Sequence, residues 1–194
     1  GGGGFVTGIT FHPTDSKTLY IRTDIGGIYR YDFDKQTWAY LADKVSVDDP
    51  AQTYPLAIAL DENDPNKLFF TCGDKRSNYI CISDDKGENI TQKPLPCSVH
   101  GNEVGRATGD RLIYKSGRLY FGSQTAGIIY SEDMGESWQS IDLFGEKNIS
   151  LIWTDSEGKL FIAGCSGEAN SPDGVTRGHT LYCSTDGLKS FVPL

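Results

Sequence analysis

Residues 19–32 of the chain read LYIRTDIGGIYRYD, and this run predicts a β-hairpin. Strand-forming residues flank a turn at residues 24–27, where Gly26 and Gly27 are expected to supply positive φ angles. Asp24 then lies at the tip of the hairpin, where the sequence gives its carboxylate no packing role. Two interpretations stay open: Asp24 accepts hydrogen bonds from main-chain amides of the turn, as Asp often does, or it performs chemistry.

The pattern around this hairpin occurs four times along the chain. Each copy has an alternating apolar strand, a polar turn, a Leu-Tyr or Leu-Phe strand and an aromatic strand. The copies span residues 8–38, 57–90, 111–138 and 150–191, and the last contains an insertion. A period of about fifty residues with four short strands is typical of propeller blades. We therefore predict an all-β propeller of about four blades, approximately at residues 1–45, 46–98, 99–145 and 146–194.

Three of the copies end in a Ser-x-Asp turn that resembles the Asp-box, or BNR, repeat. SEDMGESW, residues 131–138, fits the pattern S-x-D-x-G-x-x-W, while residues 83–90 and 184–191 are variants and residues 31–38 a degenerate copy. In such a turn the Asp accepts main-chain amides and the terminal aromatic packs between strands. We expect these aspartates to be structural, so the motif indicates the architecture and leaves the substrate open.

Composition and charge exclude several classes of function. The formal net charge is −8, and an acidic chain repels the phosphates of a nucleic acid, so no nucleic-acid partner is expected. No apolar run is long enough to span a membrane. A neutral polysaccharide is compatible, because sugars bind to aromatic faces and hydrogen-bonding groups.

Cysteine and histidine patterns give no metal or cofactor site. The five cysteines include no C-x-x-C pair, and four of them lie in apolar, strand-like runs, where we expect small buried hydrophobic residues. The three histidines are scattered through turn-like sequence and form no Ser-His-Asp order. Of these, His12 is expected to bond to the backbone.

The opening of the chain carries a family resemblance. GGGGFVTGITFHP at residues 1–13, followed by the hairpin, resembles the start of the family 74 glycoside hydrolases, the xyloglucan-cleaving endoglucanases and their reducing-end-specific relatives. The resemblance extends over the whole chain. It implies an inverting hydrolase of the β-1,4-glucan backbone of xyloglucan or a related β-glucan, with Asp24 as general base. In the family the general acid comes from a second propeller, and nothing in this chain matches it.

The resemblance also implies that the chain is the amino-terminal portion of a seven-bladed propeller. Its partners would be the remaining blades and a second propeller, and these residues alone would not hydrolyse glucan at a useful rate. The last blade is then expected to expose an apolar face. No signal peptide is visible, and a secreted location is implied by the resemblance only.

A second run, HGNEVGRATGDRL at residues 100–112, resembles the GN-x-x-GR-x-x-GERL segment of the same family, with Asp110 in the usual Glu position. Asn102 and Arg106 are candidates to hydrogen-bond sugar hydroxyls. Alternatively, Arg106 or Arg111 pairs with a neighbouring acid and holds the loop.

Aromatic side chains are candidates to stack on sugar rings. Tyr29 and Tyr54 are proposed for substrate binding, with Tyr79 and Trp153 as further possibilities. The main alternative to an enzyme is a non-catalytic propeller that binds glycan or protein, in which Asp24 only caps a turn. A sialidase is less favoured, because its cluster of three arginines is not recognisable here.

Overall fold

The computed structural model describes residues 3–99, 101–102, 110–143, 145, 147–165 and 180–194. These residues form four antiparallel sheets of four strands each and one 3-10 helix, Pro50–Thr53. The first two sheets comprise β1 (Val6–Phe11), β2 (Leu19–Thr23), β3 (Ile28–Asp32), β4 (Thr37–Tyr40), β5 (Pro55–Asp61), β6 (Asp64–Gly73), β7 (Asn78–Ser83) and β8 (Thr91–Pro94). The last two comprise β9 (Leu112–Lys115), β10 (Arg118–Gly122), β11 (Ile128–Ser131), β12 (Gln139–Ile141), β13 (Asn148–Thr154), β14 (Leu160–Cys165), β15 (Thr180–Ser184) and β16 (Val192–Pro193).

Strands lie side by side in chain order within every sheet, so each sheet is an up-and-down unit. The predicted hairpin is present as β2 and β3, joined in antiparallel register with Ile21 opposite Tyr29. Alternation of side chains across each strand leaves two faces per sheet, and consecutive sheets pack face to face.

Three apolar clusters join the consecutive sheets. Between the first and second sheets, Tyr20 and Ile28 pack with Ile58 and Phe70. The other two clusters repeat this packing between later sheets: Ala57, Phe69 and Ile80 with Leu119, Phe121 and Ile129, then Tyr120 and Ile128 with Ile152, Leu160 and Ile162. Four-stranded antiparallel sheets stacked in this way are propeller blades, which confirms the predicted fold class of about four blades. The exact blade limits stay predictions.

The outer faces of the first and last sheets are apolar and exposed. Ile9 and Phe11 on β1 are 60% and 64% exposed, whereas Ile58 and Leu60 at the equivalent positions of β5 are 3% and 8% exposed. The difference arises because the second sheet has a neighbour on that side. On the fourth sheet Trp153 is 51% exposed, as expected from the sequence for the last blade.

In antiparallel sheets the connections alternate between the two ends of the strands, and each set of strand ends is called an edge here. One of these edges, here called the Asp24 edge, carries the β2–β3, β6–β7 and β10–β11 turns. The links between consecutive sheets lie on the same edge. Main-chain bonds join them: Gly27 N donates to Thr53 O at 3.0 Å, and Gly127 N donates to Lys147 O at 2.9 Å. The Ser-x-Asp turns follow β7, β11 and β15 and therefore lie on the opposite edge.

Candidate active site

The turn of residues 23–27 is closed by its own backbone and by one hydroxyl. Thr23 N donates to Gly27 O at 3.0 Å, and the Thr23 hydroxyl accepts from Gly26 N at 2.9 Å. Gly27 has a φ of +85°, as predicted, but Gly26 does not have a positive φ. A positive φ was therefore wrongly predicted for Gly26. Glycine is needed there because a Cβ would lie 2.2 Å from Gly3 O. Gly26 is required for a close main-chain approach.

The Asp24 side chain is 7% exposed and packs beneath the first residues of the chain. Its Oδ1 atom accepts a hydrogen bond from Phe5 N at 3.0 Å, and Asp24 N donates to Phe5 O at 3.2 Å. The expectation of a carboxylate without a packing role is therefore incorrect. One of its oxygens is held by a main-chain amide that lies nineteen residues earlier in the sequence.

A groove of about 510 Å³ lies further along the Asp24 edge, and its lining includes Tyr54 and Asn102. Tyr54 O accepts from Gly73 N at 3.1 Å, and Gly101 packs so closely that a Cβ on it would lie 1.9 Å from Tyr54 O. Since Gly27 bonds to Thr53, the residue before Tyr54, a short run of main-chain contacts connects the Asp24 turn to the groove.

Two polar pairs support the groove from below. Tyr79 donates its hydroxyl proton to Asp49 Oδ2 at 2.6 Å, and this bond raises the pKa of Tyr79. Asp49 caps the 3-10 helix that carries Pro50 to the groove. Asp74, in the β6–β7 turn, accepts from the Arg76 guanidinium at 3.1 and 3.2 Å, and Lys75 between them adds a further positive charge to the groove lining. The hydrogen bond from Tyr79 to Asp49 therefore has a structural role.

The structure separates the predicted binding residues. Tyr54 and Asn102 share the groove, whereas the Tyr29 ring packs against Tyr40 on β4 with 5.0 Å between ring centroids. Arg106 lies outside the described residues, as do His100 and most of the second family-like run. Trp153 packs on Phe161 on the open face of the fourth sheet.

Two ionisable groups interact across the first and third sheets. Arg22 on β2 is 2% exposed, and its guanidinium donates to the Thr7 hydroxyl at 2.8 Å. Burial lowers the pKa of Arg22, and the negative charge of Asp110 acts against that shift. Asp110, in the segment before β9, retains an exposed surface, yet desolvation raises the pKa of its carboxyl while Arg22 acts in the opposite direction. Sequence reasoning noted Asp110 only as a substitution and missed Arg22.

Arg111 is also buried, but it bonds to the backbone. Its guanidinium donates to the main-chain oxygen of Ile149, so it links the third and fourth sheets. The acceptor in this structural bond is a main-chain carbonyl.

The Ser-x-Asp turns on the opposite edge contain saturated carboxylates. Asp133 accepts from Ser137 N, the Ser137 hydroxyl and the Ser131 hydroxyl, at 2.9, 2.5 and 2.8 Å. These bonds lower the pKa of Asp133 to about 2, and similar bonds give Asp85 and Asp186 pKa values of about 2. This geometry agrees with a structural role for the three aspartates.

Known proteins similar to this chain are xyloglucanases, although no family model matches it. The oligoxyloglucan-reducing end-specific xyloglucanase of Emericella nidulans is 35% identical over 174 residues, which cover 83% of this chain and 22% of that protein. Xyloglucanase Xgh74A of Acetivibrio thermocellus is 34% identical over 211 residues, covering 96% and 25%. The crystal structure of the GH74 xyloglucanase from Xanthomonas campestris covers the whole chain with a TM-score of 0.81 and 28% identity, and 31% of its own chain is matched.

The chain is homologous to part of the glycoside hydrolase family 74 xyloglucanases. It spans about a quarter of the length of the curated family 74 relatives that it matches. The resemblance stated from the opening residues is therefore confirmed at the level of the family.

The third sheet contains a counterpart of Asp24 that sequence reasoning missed. Residues 123–127 of the third sheet, Ser-Gln-Thr-Ala-Gly, occupy the same β2–β3-type turn as residues 23–27. Gln124, at 2% exposure, takes the place of Asp24. Aligning residues 123–127 of the third repeat with residues 23–27 of the first would have found this pair.

Other polar residues of the described chain have structural contacts. His12 accepts from Thr14 N and Asp15 N through Nδ1, and its Nε2 lies 2.7 Å from Asp61 O, so its bonds to the backbone are as predicted. Cys72 and Cys81 are fully buried, as predicted, whereas Cys183 is only partly buried, so the prediction was wrong for that residue. Within the described ranges, no cluster of three or more His, Cys, Asp or Glu side chains could hold a metal ion. No helix in the same ranges is long and apolar enough to cross a membrane.

Proposed function

We propose that this chain is the amino-terminal part of an inverting glycoside hydrolase that cleaves the β-1,4-glucan backbone of xyloglucan, with Asp24 as general base. The relatives that support the substrate class are named as xyloglucanases. An inverting hydrolase needs two carboxyl groups about 6.5–9.5 Å apart, one to activate water and one to protonate the leaving oxygen. Asp24 would take the first of these roles.

One observation supports the choice of Asp24 above all others. Its carboxyl group is buried and held by Phe5 N in a turn that the third sheet builds with the neutral Gln124. Burying an ionisable group is costly, and the turn itself does not need one. A carboxyl group that the turn does not require is therefore our candidate for chemistry.

The groove beside this turn would bind the glucan chain. Tyr54 would offer an aromatic face to a sugar ring, and Asn102 would hydrogen-bond hydroxyl groups. Tyr29 and Arg106 stay proposed contacts from the sequence, and a contact with Tyr29 would need substrate to extend beyond the groove residues. Arg76 in the groove is paired with Asp74, but Lys75 adds a further positive charge, so the proposed substrate class rests on the relatives and not on the charge of the groove.

The rest of the site would come from protein beyond these sheets. The open apolar faces of the first and fourth sheets would pack against further blades, and a second propeller would supply the general acid across a cleft. The chain alone would therefore show no useful hydrolysis. Secretion is proposed by the same similarity.

The test is Asp24→Asn in a full-length xyloglucanase that carries this chain. Loss of a general base is expected to lower kcat on xyloglucan by at least about 100-fold. Asp133→Asn is the matched control, since it makes the same chemical change in a Ser-x-Asp turn and should leave kcat within about twofold. Thermal unfolding of both variants checks that they fold.

A non-catalytic propeller that binds glycan is the second candidate, favoured by the hydrogen bond that gives Asp24 a structural role. Under that reading Asp24→Asn and Asp133→Asn would change glucan release equally little. Binding of xyloglucan to the groove would persist and would depend on Tyr54.

A further inference from the structure

Residues 3–5, here called the amino-terminal strap, lie directly against the Asp24 turn. Phe5 and Asp24 extend the β1–β2 pairing by one step beyond Val6 and Thr23, which are opposite each other. Phe5 contributes both of its main-chain groups: its N–H donates to Asp24 Oδ1 at 3.0 Å, and its carbonyl accepts from Asp24 N at 3.2 Å. The strap therefore contacts both the backbone and the side chain of Asp24.

Glycines on both sides make this approach possible. A Cβ on Gly4 would lie 2.2 Å from Asp24 Oδ1, and a Cβ on Gly26 would lie 2.2 Å from Gly3 O. Neither distance is compatible with a real side chain, so the contact requires glycine at both positions. Gly4 also has a φ of +98°, which only glycine adopts without strain.

We propose that the strap is a positioning element for the general base, with Phe5 N–H as the group that orients the carboxylate and Gly4 as the residue that permits it. A hydrogen bond from an amide to a carboxylate is stronger than one to a neutral acceptor. Holding Oδ1 fixes the plane of the carboxylate and so the direction in which Oδ2 presents its lone pairs. This inference rests on the proposed function only for its effect on catalysis.

The kinetic test is Gly4→Ala in the full-length enzyme, where the added methyl group must displace the carboxylate or the strap. Gly117→Ala is the matched control: Gly117 has a φ of +82°, similar to that of Gly4, but nothing lies within 4 Å of its Cβ position. Both variants should lose a few degrees of Tm from backbone strain. Only Gly4→Ala should lower kcat, by about 100-fold, with KM nearly unchanged, because misplacing a catalytic group by about 1 Å has an effect of that size.

A second measurement needs no activity. In the 194-residue chain, the Phe5 amide proton should resonate downfield in the nuclear magnetic resonance spectrum and move upfield in Asp24→Ala, which removes the acceptor. An unchanged Phe5 resonance would show that the bond is absent and overturn the inference, whatever the enzyme does. Equal kcat values for Gly4→Ala and Gly117→Ala would overturn the positioning role. If Asp24→Asn keeps full activity, the proposed function fails, and the Phe5 resonance still decides whether the strap holds the carboxylate.

Discussion

The turn of residues 23–27 in the first sheet and the turn of residues 123–127 in the third share one hydrogen-bonding pattern. Thr23 N donates to Gly27 O at 3.0 Å, and Ser123 N donates to Gly127 O at 2.8 Å. Both turns end on a glycine with positive φ, +85° and +72°. In both, the hydroxyl of the first residue accepts main-chain amides within the turn.

The second position is where the two turns differ. Asp24 and Gln124 are both buried, at 7% and 2% exposure, yet one side chain is ionisable and the other is a neutral amide. The shared hydrogen-bonding pattern of these two turns therefore accommodates either side chain and does not need a carboxyl group. The carboxyl group of Asp24 is therefore a feature of the first sheet and not a requirement of this type of turn.

Introducing a carboxylate at position 124 should give the largest effect on stability. Gln124→Glu puts a carboxylate into a site with 2% exposure, and we expect it to lower the free energy of unfolding by about 2–3 kcal/mol at pH 7. The isosteric Asp24→Asn, which removes a charge without adding volume, should cost less than about 1 kcal/mol. Urea denaturation of both variants measures the two values.

Acid should partly rescue the Gln124→Glu variant. Burial raises the pKa of a carboxyl in the folded state above its value of about 4.3 in the unfolded chain. The destabilisation is therefore full above the folded pKa and is relieved as the pH falls toward the unfolded value. A difference in stability that is as large at pH 5 as at pH 8 would mean that the third turn accepts a charge, and the contrast with Asp24 would lose its meaning.

The repeated features of the fold were accessible from the sequence. The alternation of apolar residues and the spacing of the Ser-x-Asp turns depend on local chain order, so four sheets and the β2–β3 hairpin followed from them. The exposure of Ile9 and Phe11 was harder to anticipate, because it depends on which sheet lacks a neighbour.

The details of the candidate site were less accessible, because they depend on long-range contacts. No local pattern predicts that Phe5 N reaches Asp24 Oδ1, or that Gly26 is needed for Gly3 and not for its own φ. The interaction of Arg22 with Asp110 spans two sheets and has no sequence signal of its own. The similarity to family 74 pointed to Asp24, but only the coordinates reveal how it is held.

Removing the hydroxyl groups that close the two turns should have a smaller effect. Thr23→Val and Ser123→Ala each delete an acceptor for main-chain amides in a buried turn, so each should cost about 1 kcal/mol. The two losses should be similar if the turns are equivalent frameworks. Thermal or urea unfolding of the two variants, with Ser116→Ala as an exposed control, makes the comparison. A loss confined to Thr23→Val would indicate that the first turn depends on its hydroxyl in a way that the third does not.

The smallest effect should come from Asp133, a carboxylate of the structural kind. Its pKa is lowered from 3.8 to about 2 by the serine bonds, so its stabilising contribution is present above the unfolded pKa and is lost as the pH falls through the folded one. Asp133→Asn should therefore lie slightly below the parent chain in stability at pH 7, and the two should converge as the pH approaches about 2. Because Asp133 is exposed, solvent screens its bonds and the difference should stay small. A stability gap that does not narrow between pH 5 and pH 2.5 would show that these serine bonds do not depend on the charge of Asp133. Asp24 could then no longer be distinguished from the structural aspartates by how its carboxylate is bonded.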